Sequence, residues 1–238
     1  MSRGILCLLT LCAASVPVQG QTASSGDVDV YLRSNWALAS TDATPDSFWM
    51  RPDDVPLFLF SDGTAMDQLP EAPLASFDPA TIQATFDPDV RSWYVGSWER
   101  ADARVTIVMD EESRDLCEVS SGWRSCDNEN AAVYRPARAL QAHHLIGRWA
   151  TDEVFVPAAM LGLPSGDSGL SEVVFSEDGT VTGGVFGSRT GRWTLDGLFL
   201  TLEVGAQQSV LPAFTLSEAE NVSQIRMGNA LWERPPAN

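Results

Sequence analysis

Residues 171–204 read SEVVFSEDGTVTGGVFGSRTGRWTLDGLFLTLEV, and this stretch decides the fold class. An apolar strand at 173–175 is followed by Glu-Asp-Gly at 177–179, residue types that tolerate the backbone of a tight hairpin turn. Alternation of apolar and polar residues resumes through 191–195, and an Asp-Gly pair at 196–197 turns the chain again. This succession of short strands and turns predicts an antiparallel β-meander.

The first half of the chain contains the same features in the same order, which predicts two related modules. The expected equivalences are Trp36 with Trp149, Phe60 with Phe175, Trp98 with Trp193, 105–107 with 200–202, and 132–136 with 231–235.

The spacing of two of these equivalences predicts an insertion in the first copy. Phe60 and Phe175 differ by 175 − 60 = 115, whereas Trp98 and Trp193 differ by 193 − 98 = 95, so the first copy carries 20 extra residues. The segment 67–89 contains four prolines and accounts for them. It is predicted to be an inserted, mostly irregular loop with one helical turn near 79–84.

The start of the chain is typical of an exported protein, because a short basic start precedes an apolar run and small residues. The expected organisation is a signal peptide over 1–20 cleaved after Gly20, a disordered polar terminus over 21–29, a first β module over 30–136, a linker over 137–144 and a second β module over 145–238. The mature chain is therefore expected in the periplasm or outside the cell, as a monomer.

The formal net charge is −17, and every basic residue other than the two histidines is an arginine. Nucleic-acid binding needs clustered cations, so this balance argues against a nucleic-acid partner and against anionic membrane surfaces. No apolar run after the signal peptide is long enough for a membrane span. The acidity is better explained as keeping an exported protein soluble than as a means of binding a cationic partner.

Cys117 and Cys126 are the two cysteines that remain after signal-peptide cleavage, and they are predicted to form a disulfide that closes a hairpin. A zinc site formed by these cysteines with His143 and His144 is the alternative. Adjacent histidines cannot easily direct both rings to one ion, and the spacing fits none of the usual zinc patterns. No metal is therefore expected.

The second half opens on L-x-G-x-W at 145–149, continues with G-x-W at 191–193 and closes on W-x-R at 232–234. These motifs resemble those of the bacterial lipocalin-like domains, which belong to the calycin group and its META-like neighbours. The resemblance implies an all-β protein of two consecutive small antiparallel β-meander barrels, of which the second copy matches more clearly.

The resemblance also implies a structural plug at one end of the barrel. Gly147 would let the chain enter the barrel closely, while Trp149 would fill the end and Arg234 would pack across it as a cation–π contact. In the first copy Trp36 would take the place of Trp149, although 34–35 is Ser-Asn where a glycine is expected.

Small barrels either fill their interior with side chains or hold one small apolar ligand. Trp49 has no counterpart in the second copy and is the candidate contact residue of the first module. The apolar loop with Met160, Leu161 and Leu163 is the corresponding candidate in the second module.

A search for catalytic chemistry gives no candidate. Ser168 lies in a Gly-Asp-Ser-Gly tetrapeptide that matches trypsin-like nucleophiles, but a serine nucleophile needs an oriented histidine base, and both histidines lie in the linker. Nucleotide-binding motifs are absent from the sequence, so no cofactor is expected. The sequence predicts a non-enzymatic periplasmic protein that binds a small apolar or amphipathic ligand. The alternative is a module that binds or inhibits a periplasmic protein, with Trp49 and the inserted loop as its contact surface.

Overall fold

The computed structural model describes residues 28–34, 50, 54–69, 74–89, 91–152, 171–186, 189–217 and 219–236. They form two consecutive closed, eight-stranded antiparallel β-barrels, so the predicted fold class is confirmed. In each barrel every strand pairs with the next one along the chain, and the last strand pairs with the first.

The first barrel contains β1 Val28–Ser34, β2 Val55–Phe60, β3 Thr64–Met66, β4 Val95–Ala101, β5 Arg104–Met109, β6 Glu112–Val119, β7 Gly122–Ser125 and β8 Val133–Pro136. The helices α1 Pro79–Thr85 and α2 Arg91–Tyr94 lie between β3 and β4. Between the barrels lie β9 Arg138–Ala139 and helix α3 Ala142–Leu145. The second barrel contains β10 Gly147–Thr151, β11 Ser171–Phe175, β12 Thr180–Thr182, a 3-10 helix Gly184–Phe186, β13 Gly191–Asp196, β14 Phe199–Val204, β15 Gln207–Thr215, β16 Gln224–Met227 and β17 Ala230–Glu233.

Apolar side chains fill the interior of the second barrel. Side chains of a strand alternate between its two faces, so one residue in two points inward. The inward residues form one buried cluster, and Trp149 and Trp232 within it have no exposed surface. The first barrel has a smaller interior cluster made of buried residues from β2, β3, β5, β6 and β7: Leu57, Leu59, Ala65, Val105, Ile107, Met109, Leu116 and Trp123.

Strand pairing confirms the repeat between the two barrels but shifts its alignment by one residue. Leu59 pairs with Ala65 in the first barrel, as Phe175 pairs with Val181 in the second, so Leu59 rather than Phe60 corresponds to Phe175. The expected match was wrong because Phe60 points outward, and a shift of one residue exchanges the two faces of a strand. The offset is therefore 175 − 59 = 116, and the insertion has 116 − 95 = 21 residues.

An inter-barrel cluster joins the outer faces of both barrels through the inserted segment. Phe77, in the insertion, is 1% exposed and packs with ring-centroid distances of 5.1 Å to Phe58 in the first barrel and 4.8 Å to Phe199 in the second. The cluster comprises Val28, Val30, Leu32, Met50, Phe58, Phe60, Met66, Leu74, Phe77, Ile82, Phe86, Leu198, Phe199, Val210, Phe214, Leu216 and Leu231. The two barrels therefore share a hydrophobic core in addition to their own interiors.

The inserted segment contains a helix longer than the predicted turn. Asp78 caps α1 by accepting a hydrogen bond from the Thr81 backbone N–H at 3.0 Å, and Pro79 occupies the first helical position. Leu74 also accepts a backbone hydrogen bond from Val210 of β15 at 3.0 Å. The apolar side chains of the insertion are thus packed between the two barrels.

The predicted linker is built into the second barrel. β9 pairs with the end of β15, and the side chain of Leu140 is buried in the interior cluster of the second barrel. The first strand likewise begins at Val28, inside the segment expected to be a polar terminus, because Val28, Val30 and Leu32 alternate as one buried face.

The predicted disulfide between Cys117 and Cys126 is confirmed, and it ties β6 to the end of β7. Replacing both cysteines by serine is expected to lower the free energy of unfolding by about 2–3 kcal/mol, because the bridge restricts the unfolded chain. Urea denaturation of the oxidised protein and the double variant measures this difference. Equal midpoints and slopes would contradict the expectation.

Candidate functional site

Three charged side chains occupy inward-facing positions at one end of the first barrel, which we call the Asp67 end. Arg33 lies near the end of β1, Asp67 directly follows β3, and Arg114 lies near the start of β6. Because neighbouring strands are antiparallel, these three positions lie at the same end. Tyr31, Ala65 and Leu116, two residues from each of them, pack in or against the interior cluster, which assigns the charged positions to the same inner face.

The carboxylate of Asp67 interacts electrostatically with both arginines. Asp67 Oδ2 is 3.9 Å from Arg114 Nη1; the Asp67 side chain is 22% exposed and the Arg114 side chain is 46% exposed. Burial raises the pKa of Asp67, while the charges of Arg114 and then Arg33 act in the opposite direction. Arg33 is half-buried, and among the described residues its guanidinium has no ion pair or hydrogen bond. This cluster at the Asp67 end therefore contains two positively charged side chains and one negatively charged side chain.

The second barrel provides an internal comparison for these three positions. Following the strand pairs from β1 to β6 and from β10 to β15, Arg33 corresponds to Thr151, Asp67 to Gly183 and Arg114 to Ser209. Thr151 and Ser209 are buried, at 4% and 2% exposure. The same barrel architecture thus forms with small uncharged residues here, so folding does not require the charges.

The opposite end of the first barrel, at the Gly63 turn, is closed by a tryptophan and an arginine. The Arg100 guanidinium lies 5.1 Å from the centroid of the Trp123 ring and 4.0 Å from Glu118. The side chain of Tyr31, from the middle of β1, reaches Trp123; burial raises the pKa of its hydroxyl, and the hydrogen bond that it accepts from Trp123 acts in the opposite direction. These residues form a cation–π closure, which is a stabilising arrangement.

In the second barrel, the expected plug residues Gly147, Trp149 and Arg234 lie next to one another. The Arg234 guanidinium lies 4.3 Å from the centroid of Trp149 and donates hydrogen bonds to the carbonyl oxygens of His144, at 2.8 Å, and Ile146, at 3.2 Å. Gly147 has φ +113°, and a Cβ there would lie 2.9 Å from Arg234 Nη1. The glycine therefore provides the space that the arginine occupies.

In the first barrel, the strand register places a different residue from the expected one at the position of Trp149. Trp149 pairs with Val173 as Tyr31 pairs with Leu57, so Tyr31 stands at the position of Trp149. Trp36, the expected counterpart, lies outside the described residues.

The plug predicts a weakening of the second barrel in acid. His144 lies in α3 beside Arg234, and burial, then the charges of His143 and Arg234, lower its pKa below the usual 6.5. A lowered pKa means that the unfolded chain binds the proton more tightly, so stability is fully present above pH 6.5 and falls as pH falls through the folded-state pKa. Urea midpoints at pH 7.5 and 5.5 should therefore differ less in a His144→Gln variant than in the native chain. An identical pH difference in both proteins would contradict this assignment.

The predicted contact residues lie outside the described residues: Trp49, Met160, Leu161, Leu163 and, from the rejected protease motif, Ser168. Met50, which follows Trp49, is described and is 3% exposed in the inter-barrel cluster. Its backbone N–H donates to Gln224 Oε1 at 3.0 Å. The chain next to Trp49 is therefore held between the two barrels.

The sequence did not reveal the charged Asp67 end, because its residues are 81 positions apart from Arg33 to Arg114, 114 − 33 = 81, and belong to no motif. A correct alignment of the two copies would have shown it. That alignment matches the three charged residues of the first copy with Thr151, Gly183 and Ser209 of the second copy.

The described part of the chain contains no group of three or more His, Cys, Asp or Glu residues arranged to hold a metal ion. None of the helices there combines the length and apolar character that a membrane-spanning helix requires.

Comparison of the chain with protein-family models, with curated proteins and with solved structures finds no match. The lipocalin-like relationship therefore stays a prediction based on the motifs.

Proposed function

We propose that the protein is a non-enzymatic periplasmic binding protein whose first barrel holds one small amphipathic ligand at the Asp67 end. The observation that carries this proposal is the placement of Arg33, Asp67 and Arg114 on inward-facing positions that the second barrel fills with small uncharged residues. The Asp67 side chain is only 22% exposed and is costly to bury as a charge, whereas the Arg114 side chain is 46% exposed and stays accessible at the end of the barrel. Charges at these positions, which the fold does not need, favour a binding role.

The difference between the two interiors also supports a site in the first barrel. Trp149 and Trp232, inward residues of the second barrel at the positions of Tyr31 and Tyr134, have no exposed surface, and Trp149 with Arg234 plugs one end of that barrel. In the first barrel, Tyr31 and Tyr134 are only half-buried against the interior cluster. A ligand with an apolar part and a charged group fits an interior of that mixed character.

The compartment is part of the proposal and rests on two observations. The first twenty residues have the composition of a signal peptide, and the Cys117–Cys126 disulfide is compatible with an oxidising compartment.

Native mass spectrometry of the mature protein purified from its own periplasm tests the proposal. We expect the chain to carry one small molecule, which organic extraction releases and identifies. A chain that arrives at its bare mass, and that takes up no amphipathic compound added afterwards, would overturn the proposal.

A second candidate function is protein binding, and it is favoured by the exposure of Trp93. This side chain, in α2, is 61% exposed, and Val108 on the neighbouring β5 is 38% exposed; they are the exposed large hydrophobic residues of the described chain. Exposed tryptophan is enriched at interaction sites. In the same mass spectra a protein partner would appear as a larger complex, which should disappear with Trp93→Ser and persist with Arg192→Thr.

A further inference from the structure

We infer that Arg33 and Arg114 bind the carboxylate of an amphipathic monocarboxylate. When no ligand is bound, the carboxylate of Asp67 interacts with the two arginines in its place. This inference rests on the proposed function and names the chemical class of its ligand. The side chain of Asp67 is itself a carboxylate held at this place, 3.9 Å from Arg114 Nη1, and it shows which chemistry the two arginines can accept.

The arginines have unused bonding capacity. A guanidinium carries five N–H donors and binds a carboxylate through two parallel hydrogen bonds. Among the described residues, Arg114 makes only the long contact to Asp67, and Arg33 has no hydrogen-bonded partner. A carboxylate entering this end could accept charge-assisted hydrogen bonds from both arginines.

The apolar part of the ligand has neighbours on the same inner face. Tyr134 is the cross-strand partner of Arg33, and Ile107 is the cross-strand partner of Arg114. Both pack in or against the interior cluster, so an apolar chain attached to the carboxylate would lie along Tyr134 and Ile107.

The charge of the protein favours a monocarboxylate over a phosphate. The chain has a formal net charge of −17, and the Asp67 end offers two arginines, one of which already faces Asp67. A phosphate monoester brings between one and two negative charges and three acceptor oxygens. One negative charge matches the cationic excess of this cluster.

Calorimetric titration with octanoate and with 1-octanol, which share one alkyl chain, tests the inference on the full mature protein. We expect octanoate to bind the native chain at least about tenfold more tightly than 1-octanol, because charge-assisted hydrogen bonds discriminate the two head groups. The Arg33→Thr/Arg114→Ser variant carries the residues of the second barrel at these positions and should lose that preference. Arg148→Ser/Arg192→Thr removes two exposed arginines of the second barrel and should keep it.

Asp67→Asn separates a binding role from a structural one. If Asp67 competes with the ligand for Arg114, its neutralisation should tighten octanoate binding several-fold, whereas 1-octanol binding should not change. A purely structural ion pair would give no such gain.

The outcomes distinguish the two proposals. Equal binding of octanoate and 1-octanol, or an unchanged preference in Arg33→Thr/Arg114→Ser, would overturn the carboxylate assignment and leave the binding function in place. Tighter binding of octyl phosphate than of octanoate would also overturn it. No binding of any of the three probes, together with a bare mass for the purified protein, would overturn both proposals.

Discussion

Replacing Phe77 by alanine is expected to lower the free energy of unfolding by about 3–5 kcal/mol, which is the range for removing a large buried aromatic side chain. Phe77 is 1% exposed and contacts aromatic rings of both barrels, at 5.1 Å from Phe58 and 4.8 Å from Phe199. It also stacks on Phe60, at 6.0 Å. The variant removes the centre of the cluster through which the two barrels stabilise each other.

Because Phe77 belongs to neither barrel interior, the variant should also change how the chain unfolds. In the native protein we expect both barrels to unfold in one transition, since they share the inter-barrel cluster. In Phe77→Ala the transitions of the two barrels should separate. Hydrogen exchange read by mass spectrometry on peptides from each barrel measures the two protection levels separately.

Phe175→Ala is the matched control for this experiment. Phe175 is equally buried, at 1% exposure, but it lies inside the second barrel and packs edge-on against Trp193. Its removal should cost a similar free energy and destabilise the second barrel selectively. If hydrogen exchange in Phe77→Ala still shows equal protection of both barrels, as in the native protein, the inter-barrel cluster does not couple their unfolding.

Replacing Trp149 by alanine is the second large effect, with an expected loss of about 3–5 kcal/mol. Trp149 has no exposed surface, its indole N–H donates to the Leu145 carbonyl oxygen at 2.7 Å, and Arg234 covers its ring. The variant leaves a cavity at the end of the barrel and removes the aromatic face that the guanidinium covers.

Trp93→Ala is the matched control, because the same substitution at a side chain that is 61% exposed should change stability by no more than about 0.5 kcal/mol. Urea denaturation followed by far-ultraviolet circular dichroism compares the three proteins without relying on tryptophan emission. A loss below about 1 kcal/mol in Trp149→Ala would contradict the plug as a main support of the second barrel.

The β-meander and the repeat could be predicted from the sequence because local chemistry determines them. The turn residues are one example, since Asp62 and Asp178 each accept a hydrogen bond at 2.9 Å from the backbone of the threonine two residues later. The paired tryptophans are another, because the backbone N–H groups of Trp98 and Trp193 donate hydrogen bonds to the carbonyl oxygens of Gly63 and Gly179, at 2.8 and 2.9 Å.

The alignment of the first copy failed where the outer face of a strand is as apolar as its inner face. In β2, Leu57, Phe58, Leu59 and Phe60 are all buried, because the inter-barrel cluster covers one face and the barrel interior the other. A strand without polar alternation does not reveal its register from sequence, since either face could be the inner one.

The same covered face explains why the proline-rich insertion was assigned to the surface. Its four prolines predicted a loop, but Leu74, Phe77, Ile82 and Phe86 are buried against the outer faces of strands. Sequence alone could not supply the second barrel as their packing partner, because that contact joins segments more than one hundred residues apart.

Two-dimensional nitrogen–proton NMR of the full chain during titration with octanoate tests the central claim most directly, because it locates the ligand. The account predicts shifts concentrated at the Asp67 end: the Arg33 and Arg114 side-chain N–H groups and the backbone N–H groups of Asp67 and Tyr134. The indole N–H of Trp149, within the second barrel, should not move. Shifts confined to Trp149 and its neighbours, or to Trp93 on the outer surface, would contradict the assignment of the ligand to the first barrel.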